Sequence, residues 1–309
     1  MFHRGRRKIA VLVALAMVCV VAVSGVYAGE GADEEGPPLP LHTFEGVGGR
    51  PITPTAYLVN PGPQSEVIGK PSVSAQYLMI GNRDMPTVAA TWTLWNRLEL
   101  GYAMNRLSLD GLNDALAPAQ TGQDEVHLHH LNARLNLIPE NVCNMGWVPA
   151  VTAGAHYKYN NDTDDINSDL GGALTALDYE RNSGFETTLT ASKTIKALPR
   201  PVILSAGVRR SKASQFGLTG FTDEYLWSVE GNVGVLVTDR LMLGSEIRQQ
   251  QEALDGAPGL VENADTWWDV HAGYILNNNT DIYAVVGDAG SVLEETDEVF
   301  YGAVLKYEF

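Results

Sequence analysis

The sequence predicts an all-β fold: a transmembrane, antiparallel, up-and-down β-barrel of about twelve strands that follows a cleaved signal peptide. Three observations predict it. Apolar/polar alternations fill the chain from Ser72 onward, long and short connections alternate between them, and the last alternation runs to an aromatic C-terminal residue, Phe309.

The chain opens Met-Phe-His-Arg-Gly-Arg-Arg-Lys, followed by an apolar run from Ile9 to about Val23 and then Ser24-Gly-Val-Tyr-Ala28. A basic start, a short apolar run and a small-residue cleavage site at Ala28 make residues 1–28 a secretory signal peptide. The competing reading is a signal anchor, because ~18 apolar residues just span a bilayer. Lipoprotein processing at Cys19 fits poorly, since Val18 stands where a small residue is wanted. Losing Arg4, Arg6, Arg7 and Lys8 takes the formal charge from −16 to about −20. So acidic a chain argues against a nucleic-acid partner. It also leaves Cys143 without an intramolecular partner in an oxidising compartment. A buried or turn-region free thiol is expected there, because no family-style catalytic Cys motif surrounds it. After Val23 no apolar run is long enough for a membrane helix, so membrane residence must come from strands.

Residues 29–70 form an N-terminal lead. Gly29 to Pro40, rich in Gly, Glu and Pro, cannot bury enough apolar surface to order itself and reads as flexible. From Phe44 to Asn60 the chain is apolar enough to order, yet Gly46, Gly48, Gly49, Pro51 and Pro54 break any regular strand. This stretch is expected to fold into the periplasmic mouth or lumen as a partial plug.

Residues 71–309 carry the barrel. Strands are expected at 72–80, 87–95, 97–107, 126–138, 149–160, 184–194, 201–211, 224–237, 240–250, 266–276, 281–288 and 298–309, mostly the length a tilted strand needs to cross a bilayer. The clearest places Tyr225, Trp227, Val229, Val233, Val235 and Val237 on one face and Ser228, Glu230 and Asn232 on the other. Connections at 96–97, 195–200, 238–239 and 277–280 are tight, and 139–147 is somewhat longer. Those at 110–125, 161–183, 212–223, 251–265 and 289–297 are long, polar and mostly acidic; only 81–86 is short on that side. Short turns on one side and long loops on the other are the outer-membrane pattern, with the short turns and both termini periplasmic.

The apolar face carries Trp92, Tyr102, Tyr157, Tyr159, Tyr225, Trp227, Trp268, Tyr274, Tyr301 and Tyr307, many near strand ends. Aromatic girdles at two interfaces explain that better than a soluble sandwich, whose outer face would be charged. Tyr307 and Phe309 close the last alternation and resemble the terminal signature that barrel-assembly machinery recognises. Outer-membrane lipid and lipopolysaccharide are the other expected partners.

The opposite face predicts a lumen lined by Glu99, Asn132, Arg134, His156, Lys158, Glu186, Arg209, Glu230, Glu246, Arg248, Asp269, His271 and Lys306, with His130 and Asn136 beside them. Acids and bases nearly balance, so these groups either pair into a network that fills the lumen or line a narrow pore. His127 and His129 share the outward face of Leu131, which favours a headgroup position over a metal site. Asp162, Asp164, Asp165, Asn167 and Asp169 do not fit a calcium loop: a register from Asp165 needs Gly at 170 and Glu at 176, where Leu170 and Ala176 stand. A solvated acidic loop is expected instead. No cofactor is called for.

Several stretches resemble a family of bacterial outer-membrane proteins catalogued only as a domain of unknown function. They are Phe44-Glu-Gly-Val-Gly-Gly-Arg-Pro-Ile-Thr-Pro-Thr-Ala-Tyr57, Ala213-Ser-Gln-Phe-Gly-Leu-Thr-Gly-Phe221, Leu241-Met-Leu-Gly-Ser-Glu-Ile-Arg248 and Asp265-Thr-Trp-Trp-Asp-Val270. The resemblance implies an outer-membrane barrel and brings no substrate, cofactor or catalytic residue. One departure is Arg50-Pro51, where further Gly is expected. The functional expectation is a narrow porin-like channel for passive uptake of small solutes. The alternatives are a closed structural or interaction barrel and, with less support for want of a G-x-S-x-G motif, an outer-membrane hydrolase.

Overall fold

The computed structural model describes residues 41–309 apart from 63–66, 118–120, 252, 255, 257–260, 262–264 and 294–297. The expected signal peptide and the 29–40 lead lie outside the described residues. Twelve antiparallel strands form a closed barrel. They are β1 Ser72–Ile80, β2 Arg83–Leu94, β3 Leu98–Ser108, β4 Glu125–Ile138, β5 Ala150–Asn160, β6 Ser183–Ile195, β7 Val202–Ala213, β8 Phe221–Leu236, β9 Leu241–Arg248, β10 Trp267–Asn277, β11 Thr280–Asp288 and β12 Val299–Glu308. Each pairs with the next, and β12 returns to β1 from Phe300↔Ile80 to Glu308↔Ser72, so the sheet has no open edge.

Period-two alternation sorts the side chains between two solvents. Outward positions such as Val73, Trp92, Leu131, Leu189, Val229, Ile247, Val270 and Leu305 are exposed and apolar. Their inward neighbours, among them Gln76, Thr91, Asn132, Thr190, Glu230 and Lys306, are buried and polar. A chain folding in water alone would place these two sets the other way round.

Two connections differ from the sequence expectation. The strand expected from residue 87 begins at Arg83, after the two-residue turn Gly81-Asn82. Pro86 is tolerated because, counting from the turn-closing pair Ile80↔Arg83, Tyr77↔Pro86 is a non-hydrogen-bonded pair. The side that would need an N–H faces β3, whose pairing with β2 starts only at Thr87.

The second difference concerns the long loops, which are folded rather than merely solvated. Helix α1, Asp110–Leu116, buries Leu112, and helix α2, Thr163–Asp169, buries Thr163 and Ile166. With Leu174, Leu218 and Val292 they form an apolar cap continuous with inward residues at the long-loop ends of the strands, including Ile80, Met85, Leu128 and Trp267. Charge-rich composition hid this, because single apolar residues spaced among acids turn inward one at a time.

The loop Ser214–Gly220 is buried along its whole length. Gln215, Phe216, Gly217 and Gly220 all take positive φ, and a Cβ on Gly217 would meet the Phe221 ring at 2.8 Å. The reversal drives the Phe216 ring inward, edge-on to Phe44 at 4.8 Å and to Trp267 at 4.4 Å between centroids. Truncating this fully packed ring, Phe216→Ala, is expected to cost about 3–5 kcal/mol, read as a lower thermal unfolding midpoint of the detergent-refolded barrel. Trp227→Ala, on the exposed outer face, should cost far less.

Candidate functional site

Residues 41–60 run through the barrel interior. They satisfy only part of their backbone among themselves: Leu41–His42 pairs with Gly48–Gly49, and backbone N–H groups of Thr43, Phe44, Gly46, Arg50 and Thr55 donate to Val47, Pro51, Thr43, Thr53 and Gly48 at 2.8–3.1 Å. Nevertheless every residue from Leu41 to Ala56 is buried. Buried peptide groups must find partners, and here the wall supplies them.

Wall side chains donate to the segment's carbonyls: Gln76 to Thr43 at 2.9 Å, Asn105 to Phe44 at 2.9 Å, Asn132 to Glu45 at 2.7 Å, Arg134 to Gly48 at 2.8 Å and Thr152 to Ala56 at 2.6 Å. Wall oxygens accept from its amides. Glu99 takes Gly48 N–H at 3.1 Å and Val59 N–H at 2.7 Å; Glu246 takes Ile52 at 2.9 Å and Thr53 at 2.7 Å; Ser192 takes Ala56 at 2.7 Å. At the short-turn end, His42 bridges Ser74 and Thr91 at 2.9 Å each, and the Tyr57 hydroxyl donates to Glu140 at 2.8 Å.

Glu45 is the electrostatic centre. Its carboxylate accepts from Lys158 at 2.6 Å, from Arg209 at 3.1 Å and from Arg248 at 2.7 and 3.2 Å. Glu186 meets Lys158 at 2.9 Å and Arg209 at 2.5 Å, and Glu230 meets Arg209 at 3.2 Å. Three acids thus interlock with three bases. Burial pushes the Glu45 carboxyl up, but Arg209, Arg248 and Lys158 outweigh it and hold the group well below the usual carboxylate range. Arg50, deeper in the segment, is pulled by burial down to about 10 against the opposing charges of Glu246 and Asp269.

The residues expected to line the lumen all point inward and are buried, and they fall into groups. Lys158, Glu186, Arg209, Glu230 and Arg248 surround Glu45. Glu99 and Arg134, 3.0 Å apart, hold the Gly48 turn. Asn132 and His156 are bonded at 2.8 Å, and His156 reaches Thr188 at 2.9 Å. Glu246, Asp269 and His271 cluster beside Thr53, and Lys306 pairs with Asp281 at 3.2 Å and Glu308 at 2.5 Å. Strand parity missed Glu45, Arg50 and His42, which are not on barrel strands, and left Gln76, Asn105 and Thr152 unremarked although parity places them inward. Cys143 is a free, exposed thiol in a turn. His127 and His129 lie half-exposed, with His129 Nδ1 2.9 Å from the Tyr102 hydroxyl. Phe309, beyond the last residue of β12, donates its N–H to Pro71 O at 3.1 Å, and its ring meets Tyr307 edge-on at 5.0 Å.

A family model described as "Protein of unknown function (DUF3034)" matches residues 40–302. The chain belongs to this DUF3034 family. The DUF3034 match takes in the whole luminal segment and runs into β12, so segment and wall lie in one family region. No curated protein matches. Among solved structures, the chain is similar to the NanC porin at 9% identity and TM-score 0.48, over 77% of this chain and 100% of that one. It is also similar to the Acinetobacter baumannii outer membrane protein Omp33 (11%, TM-score 0.46, 79% and 100%) and to the KdgM porin (12%, TM-score 0.45, 77% and 99%).

Replacing Glu45 by Gln leaves Lys158, Arg209 and Arg248 facing only Glu186 and Glu230. Removing one member of a buried ion group costs about 3–5 kcal/mol. Glu45→Gln should therefore loosen residues 41–60, measured as faster amide exchange there, while the barrel keeps its heat-modifiable gel mobility. The pH dependence has a fixed sign: a carboxyl depressed on docking stabilises the docked segment fully above its free value near 4.5 and progressively less as pH falls below it. Protection of the segment's amides, taken relative to the intrinsic exchange rate at each pH, should fall on acidification below about pH 4.5 in the native chain and change less in Glu45→Gln.

Proposed function

We propose that this protein is an outer-membrane channel held closed by residues 41–60, which passes small solutes when that segment shifts in the lumen. The observation that carries the reading is a polar, charge-balanced wall kept around a docked chain segment. Burying ion pairs is no cheaper than burying well-packed apolar side chains, so a barrel built only for rigidity has little use for such a wall. A wall that must face water when the segment moves requires it. Twelve strands also give an interior between the filled eight-stranded barrels and the open porins, enough for one irregular chain.

Membrane residence is supported by the apolar outer face and its two aromatic rims. Trp92, Trp95, Trp147, Tyr307 and Phe309 stand exposed toward the short-turn end, and Tyr159, Phe185, Tyr225, Trp227 and Trp268 toward the long-loop end. Leu189, exposed at the middle of β6, tests this: Leu189→Arg is expected to cost about 2–4 kcal/mol of folding stability in lipid bilayers. A near-zero cost would remove the membrane reading.

Phe44 couples segment to cap, because its ring abuts Phe216 at 4.8 Å and Trp267 at 6.2 Å. Moving the segment takes away the floor of the cap. In planar bilayers the mature chain should be mostly silent with brief openings, and a variant lacking residues 41–61 should give steady, reproducible conductance steps. Equal silence from both, with the deletion variant still folded, would favour the closed structural barrel.

A further inference from the structure

Among the described residues, the other buried acids of the lumen each meet a lysine or arginine: Glu45, Glu99, Glu186, Glu230, Asp281 and Glu308. Glu246 on β9 and Asp269 on β10 do not. Their one basic partner within 4.0 Å is His271, whose Nδ1 lies 2.8 Å from Asp269 and 3.9 Å from Glu246. Arg50 acts on them only from farther off, its Nη1 being turned to Met242 Sδ. The ligating atoms of Glu246, Asp269 and His271 all lie within 4.8 Å of one another. All three residues are buried, and Asp269 Oδ2 and His271 Nε2 meet no partner besides the Glu246 carboxyl that Asp269 adjoins. Two buried carboxyl groups and an imidazole have thus converged with no lysine or arginine within 4.0 Å.

We propose that Glu246, Asp269 and His271 bind one divalent transition-metal ion of the zinc class, which fastens the luminal segment to the wall. Two carboxylate oxygens and one imidazole nitrogen suit such an ion, with a fourth position left for water. Calcium and magnesium prefer six or more oxygen ligands, and an imidazole nitrogen counts against them. Glu246 links the site to the segment: its two oxygens already accept Ile52 N–H at 2.9 Å, Thr53 N–H at 2.7 Å and Thr53 Oγ1–H at 2.5 Å. Oε2 takes both Thr53 bonds, whereas Oε1 accepts Ile52 N–H and keeps a second lone pair for the metal. A bound ion fixes the carboxylate, and the fixed carboxylate fixes the segment. The site does not depend on whether the barrel conducts.

The test is titration of the full mature chain, refolded metal-free in detergent, with Zn²⁺ and, separately, Co²⁺. One equivalent should bind, Co²⁺ should develop visible d–d absorption that excess Zn²⁺ removes, and amide exchange at Ile52 and Thr53 should slow about tenfold. Asp269→Asn and His271→Gln should each weaken binding about 10–100-fold, the loss typical of removing a supporting group or more. His129→Gln, on the outer face, should leave it unchanged. Heat-modifiable mobility checks that each variant is folded; where one is not, the native chain's Co²⁺ spectrum and its displacement decide. Failure of both ions to bind near stoichiometry, binding undiminished in the folded variants, or binding of Ca²⁺ and Mg²⁺ alone would overturn the proposal.

Discussion

The architecture depends on one constraint: a stretch of irregular backbone is buried inside a barrel and must have its peptide groups satisfied. A helix would satisfy them internally and a strand through a neighbour, but Gly46, Pro51 and Pro54 leave room only for the two-residue pairing of Leu41–His42 with Gly48–Gly49 and for tight turns. The wall therefore has to present a donor or an acceptor wherever the segment presents its opposite. Asn105, Asn132 and Arg134 face carbonyls, whereas Glu99, Glu246 and Ser192 face amides. That requirement explains why the inner face presents donors and acceptors opposite the segment; it does not by itself call for the buried ion pairs.

The same constraint divides the lumen into two layers. Toward the short turns most inward side chains serve the segment and are polar, with Met242, Tyr283 and Val304 making an apolar patch against Leu41. Toward the long loops the segment has ended its ascent at the Glu45 turn, and the inner face becomes apolar, from Leu78 and Ile80 on β1 to Trp267 and Phe300. The Arg248 guanidinium lies 4.0 Å over the Phe216 ring at the border, joining the charged layer below to the aromatic layer above. Phe44, one residue before Glu45, reaches into the upper layer, so both layers are anchored by neighbouring residues of one turn.

The barrel was legible in the sequence because its signal is repeated. Period-two alternation appears in every strand, and an error in one is corrected by its neighbours. Where it failed, at Arg83 to Pro86, a proline hid a strand that tolerates it through a local pairing detail. The inward set was legible for the same reason. What parity could not give was the occupant: Glu45, Arg50 and His42 lie on no periodic element, and their partners are more than thirty residues away. The inward cations Lys158, Arg209 and Arg248, clustered around two inward acids, were the trace it left. The cap was hidden differently, because burial of Leu112, Ile166 and Leu218 depends on loop folding that has no period.

The charge arrangement has one further property that bears on movement of the segment. If Glu45 withdraws, Lys158 keeps Glu186, Arg209 keeps Glu186 and Glu230, and Arg248 keeps Glu230. Arg134 keeps Glu99, and Lys306 keeps Asp281 and Glu308. Each of these wall cations is thus partnered in both states, and with water admitted the freed donors are solvated rather than stranded. A wall that relied on the segment for its only counter-charges would lose several buried pairs at once and could not release it. This one would lose only the shared carboxylate of Glu45 and the hydrogen bonds to one short chain, as the reversible closure proposed above requires.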